Sequence, residues 1–80
     1  MPNLSQQRQH PALIALGKAI FEARSRLGYS QEKLALIAGV DRSYVGRVER
    51  GDNNIAVLTL LKIAQALELS MEELLRDAGL

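Results

Sequence analysis

The stretch QEKLALIAGVDRSYVGRVERG, residues 31–51, decides the fold. Ser30 just ahead of it is a good helix N-cap, because a hydroxyl there can satisfy an otherwise unpaired N–H of the first turn. Leu34, Ala35 and Ala38 then fall on one face at helical spacing. Gly39 can take the left-handed backbone conformation that ends a helix and swings the chain away. Asp41 is placed to cap the next helix after only a short turn. That helix runs up to Arg50, with Val45 and Val48 as its apolar positions and Gly51 as its stop. Ala35 is small where the two helices must approach, and Val40 and Val45 fix the angle between them by burial. Two short helices joined by a tight turn follow the grammar of a helix-turn-helix.

Outward from this stretch the spacing stays helical. Pro11 suits a first helical turn, where its missing N–H costs nothing. Leu13, Leu16, Ile20, Ala23 and Leu27 mark one face until Gly28. Beyond the turn residues Asp52, Asn53 and Asn54, a fourth helix over 56–67 places Val57, Leu60, Ala64 and Leu67 together. Ser70 and Glu73 form a capping-box pattern that opens a fifth helix over 71–78. Residues 1–10 are mostly polar and read as a flexible arm; residues 11–80 read as one domain. The expectation is an all-α fold of five short helices. A chain this short buries only about 60% of its unfolded surface, so association would help it.

Composition narrows the chemistry. Without cysteine there is no disulfide framework and no Cys-based zinc site. His10 is the only histidine and reads as an exposed terminal residue, so no metal site is expected. No nucleophile–base pair is visible, which argues against an enzyme, and no cofactor or small-molecule ligand is indicated. No apolar run approaches the roughly 18 residues of a membrane helix, and the N-terminus lacks a signal peptide's apolar segment. The expected compartment is the cytoplasm. The net charge of +1 conceals a split: residues 1–50 carry +4, and residues 51–80 carry −3. One end is suited to a polyanion.

A helix-turn-helix inserts the N-terminal half of its second helix into the major groove of double-stranded DNA. Here that half offers Arg42, Ser43 and Tyr44, with Gly46 and Arg47 one turn on. Arg42 can pair with guanine through two parallel hydrogen bonds, Ser43 can meet a base or a phosphate, and Tyr44 can offer its hydroxyl to a phosphate. Gly46 removes bulk close to the groove, and Arg47 reaches a base or the backbone. Gln31 begins the preceding helix, where free N–H groups and a side-chain amide suit a phosphate. Arg50 and Asn53 are further phosphate candidates. Leu58 and Leu61 add a second apolar stripe to the fourth helix, with Leu75 and Leu80 nearby. Exposed stripes of this kind mark interfaces. A two-fold homodimer through the last two helices would set the reading helices about 34 Å apart, one DNA turn.

These residues resemble the Cro/cI-type (XRE) helix-turn-helix regulators over residues 20–75. The matching elements are Arg24 in the first helix, Ser30-Gln31, Gly39-Val40, Glu49-Arg50-Gly51 and the segment LLKIAQALELSMEELL. The resemblance implies a compact lambda-repressor-like domain that binds a near-palindromic operator as a homodimer. It also implies an ion pair between Arg24 and Glu49, which, if partly exposed, would contribute only about 0.2–1 kcal/mol. The stretch DRSYV, residues 41–45, is similar to the controller proteins of restriction-modification systems. Arg47 departs from the pattern, which has a small residue there. The alternative is an antitoxin-like or adaptor module on the same fold, using Leu58, Leu61 and Leu75 against another protein.

Overall fold

Three of the five helices described, the first, second and fifth, start at a side-chain cap. The computed structural model describes residues 9–80, and among them lie five helices: α1 (Pro11–Arg26), α2 (Gln31–Ala38), α3 (Arg42–Glu49), α4 (Val57–Ala66) and α5 (Met71–Asp77). Ser30 caps α2 by accepting from the Lys33 N–H at 2.9 Å, and Gly39 closes it at φ 76°. Ser70 and Glu73 form the full reciprocal box at α5, each side chain accepting from the other residue's backbone N–H. Those hydrogen bonds hold the Glu73 carboxylate below its ordinary pKa. Asp41 stands at the start of α3 in extended conformation, but its side chain makes no capping bond. The cap at α1 is His10, whose Nδ1 accepts from the Ala12 N–H at 3.0 Å. The histidine is exposed, as read from the sequence, and in addition caps α1.

One fully buried side chain comes from every helix: Ile20, Leu34, Val45, Ile63 and Leu74. Around them α2 packs on α3 and α4, while α1 packs on α3 and α5. Three residues expected on the inward faces are not in the core: Leu13 is only partly buried, and Leu27 and Val57 lie at the surface. Val57 is 68% exposed, while Ile63, which the expected stripe did not include, is fully buried. A helical side chain leans toward its own N-terminus, so that of the first residue of α4 projects past the packed layer. Leu27, the C-cap of α1, lies at the surface.

The close approach of α1 to α3 depends on Gly17. A Cβ at this position would lie inside contact distance of the Val48 carbonyl oxygen and 2.5 Å from that of Glu49. The first helix therefore crosses directly over the last turn of α3.

Most of the expected N-terminal arm, residues 1–8, lies outside the described residues. Gln9 and His10 do not behave as an arm. The Gln9 N–H donates to the Gly51 carbonyl at 2.6 Å, and its side-chain amide reaches the Arg50 carbonyl at 2.8 Å.

Candidate nucleic-acid interface

The outward side of α3 is set by what its inward side buries. Val45 and Val48 enter the core, which leaves Arg42 and Ser43 exposed at the start of the helix. Arg47 follows one turn on, its guanidinium 5.8 Å from the centre of the Tyr44 ring. Arginine at 47, where a small residue was expected, thus lies along its own helix against an aromatic face.

Tyr44 itself is a correction. Its ring packs partly buried against the core. Burial raises the phenol pKa, while hydrogen bonding with Thr59 and the charge of Arg47 pull it back. The ring thus braces α3 against the core.

Gly46 is the second correction. It is buried, not open to a groove, because it faces the start of α2. A Cβ there would stand 3.3 Å from Arg50 Nη1 and 3.7 Å from the Gln31 side-chain oxygen. The missing side chain lets Arg50 and Gln31 close over the helix. Asn53 is the third: it is buried in the turn after α3 and not exposed at the surface. Asparagine was read as a surface turn former, but this turn is tucked beneath its neighbours.

Behind the outward face lies a polar network. Arg24 Nε meets Glu49 Oε2 at 2.6 Å, and Arg24 Nη2 meets Glu49 Oε1 at 3.0 Å. Arg24 Nη1 donates to the Tyr29 carbonyl at 2.9 Å, and the Gln31 amide donates to Glu49 Oε1 at 2.9 Å. The bond to Glu49 raises the Arg24 pKa, ahead of the opposing effect of burial. The two side chains are only 12% and 6% exposed. This removes the pair from the surface class to which its expected contribution belonged. Gln31 is thereby held at the start of α2 by the scaffold, with its carbonyl oxygen beside Gly46.

Gathered on one side are Gln31, Arg50, Arg47, Arg42 and Ser43. Such a face can neutralise phosphates and present long donors to base edges. Of the apolar candidates, Leu58 is 73% exposed, and Leu61 and Leu80 also lie at the surface. Leu75 is different, being partly buried against the core. Among the described residues no three His, Cys, Asp or Glu lie together as a metal site, and no helix is long and apolar enough to cross a membrane. Gln9, Gly17 and Asp52 matter to this face and were missed. Only Gly17 carried a warning, as a glycine in mid-helix, which costs about 1 kcal/mol unless packing requires it.

Comparison with known proteins gives the same geometry a context. A family model described as helix-turn-helix matches residues 20–74. Control protein C.SmaI of Serratia marcescens is 47% identical over 51 residues, which are 64% of this chain and 61% of that protein. This chain thus spans less than two thirds of that relative's length. The crystal structure of the restriction-modification controller protein C.AhdI from Aeromonas hydrophila superposes with a TM-score of 0.76 at 47% identity, covering 78% of this chain and 94% of that one. The biofilm regulator SinR, solved in complex with DNA, gives a TM-score of 0.71 at 36% identity, covering 75% of this chain and 97% of its own.

Proposed function

Since this chain belongs to the helix-turn-helix family of the Cro/cI (XRE) type, with the family match running through residues 20–74, we propose that it is a transcriptional regulator. It binds a near-palindromic DNA operator in the cytoplasm as a homodimer, residues 11–80 forming the domain. The observation that carries this reading is the outward face of α3, with Arg42 and Ser43 exposed opposite buried Val45 and Val48. The likeness to controller proteins of restriction-modification systems supports the same role here.

In the mechanism, α3 enters the major groove and Arg42 reads a base edge. Gln31 and Arg50 hold the backbone on either side of Gly46. The Arg24–Glu49 pair keeps Gln31 and the end of α3 in fixed relation, which limits the ordering cost of binding. Selection of bound sites from random duplexes at stated salt tests the reading directly. Recovery of two related half-sites is the expected result, and affinity that does not change with salt would exclude phosphate-driven binding. Arg42→Ala is expected to cost about 1–3 kcal/mol and to relax base preference at one position in each half-site. A uniform loss over all sequences would place Arg42 on phosphate instead.

The exposed apolar side chains of α4 favour association through α4 and α5, with Leu58 and Leu61 central and Leu80 at the edge. Leu58→Glu is expected to yield monomers in sedimentation and to weaken operator binding with them. An unchanged mass for that variant would remove Leu58 from the interface. The same apolar surface also leaves room for the adaptor reading. In that case the chain sediments as a monomer, and Arg42→Ala leaves its partner binding intact.

A further inference from the structure

The turn after α3 contains a buried carboxylate that the DNA-contact reading does not use. Asp52 Oδ1 accepts from the Gln9 side-chain amide at 2.6 Å, and Asp52 Oδ2 accepts from Arg50 Nε at 3.1 Å. The carboxylate is 11% exposed, whereas the Arg50 side chain is 63% exposed. The anchor is therefore inside and the guanidinium outside. Asp52 is fixed further by its own N–H, which donates to the Arg47 carbonyl at 2.9 Å. Gln9 holds the other side. It adopts φ 64°, a conformation uncommon for glutamine, and is kept there by its bonds to Gly51, Arg50 and Asp52.

Asp52 engages Nε, and the Arg50 side chain is otherwise largely exposed. Nη1 lies over Gly46, beside the Gln31 amide. We propose that Asp52, braced by Gln9, is a positioning residue that fixes Arg50 to grip a DNA backbone phosphate together with Gln31. The proposal rests on the DNA-binding reading above. An arginine on a flexible stem loses rotamer freedom when it binds, and a guanidinium already held in place loses less. The simpler role for Asp52 is that of a turn former. That role requires neither Gln9 in an unusual conformation nor a carboxylate shared between two side chains.

The test measures binding of two labelled duplexes, a selected operator and a scrambled sequence, over a salt series. The proteins are wild type, Gln9→Ala, Asp52→Ala, Arg50→Ala and the Arg50→Ala/Asp52→Ala double variant. Asp52→Ala is expected to weaken both duplexes about tenfold and to lower the log–log salt slope by about 0.9, the value of one phosphate contact. Gln9→Ala follows in the same direction by a smaller factor, and Asp52→Ala adds nothing once Arg50 is gone. Tighter binding by Asp52→Ala, an unchanged salt slope, or an equal loss in the Arg50→Ala background would overturn the positioning role. Should Asp52→Ala fail to fold, Gln9→Ala alone and on Arg50→Ala decides by the same criteria. Failure of wild type to bind either duplex would instead overturn the DNA-binding reading, and the proposal with it.

Discussion

Gly17→Ala is expected to destabilise the domain by about 2–4 kcal/mol, even though alanine is the better helix former by about 1 kcal/mol. The added methyl group would enter the space of the Val48 and Glu49 carbonyl oxygens. These are backbone atoms, so no rotamer change relieves the clash; α1 must lift or the end of α3 must move. A domain of this size has roughly 4–12 kcal/mol of stability in total, so the change removes a large share. The melting temperature is expected to fall by roughly 8–32 °C, at about 4–8 °C per kcal/mol for so small a domain. Thermal unfolding followed by circular dichroism checks this, and an unchanged or raised midpoint would show that the crossing is looser than the geometry states.

Glu49→Ala is expected to cost about 3–5 kcal/mol, the range for removing one partner of a buried ion pair. Three things fail together. Arg24 is left charged and nearly enclosed, the Gln31 amide loses its acceptor, and the last turn of α3 loses its tie to α1. Replacing both partners, as Arg24→Leu with Glu49→Leu, is expected to be milder than Glu49→Ala, since no orphaned charge remains. Urea unfolding of the three proteins decides the matter. If the double variant proves the less stable one, the pair itself and not the orphaned arginine carries the energy. The raised Arg24 pKa means the pair's contribution is complete below the ordinary arginine value and declines only above it. Stability from this source is accordingly flat across the neutral range.

The helix-turn-helix was legible because its signals are local. Ser30, Gly39 and the Ser70–Glu73 box act within one turn of chain, and each does in the structure what its residue type allows. Arg42 and Ser43 were legible because they fall opposite two valines on one short helix. What was not legible depends on neighbours far away in sequence. Gly46 reads the same whether it faces a groove or the start of α2; only the packing of α2 on α3 decides. Asn53 looks like any turn asparagine until the turn is seen to be buried. The Arg24–Glu49 pair joins residues with no periodic relation, so it entered through family resemblance and not through spacing. Its burial, which sets its energy, was visible in neither. Val57 overhangs the core because a periodic pattern fixes the spacing of a stripe but not where along the helix the packing begins.

The tie between Gln9 and residues 50–52 has a practical side. It sets residue 9 against the end of α3, so a side chain exchanged at residue 9 or 10 is in effect an alteration of that end. A fluorescent dye carried on exposed residue 10 would therefore report on changes there.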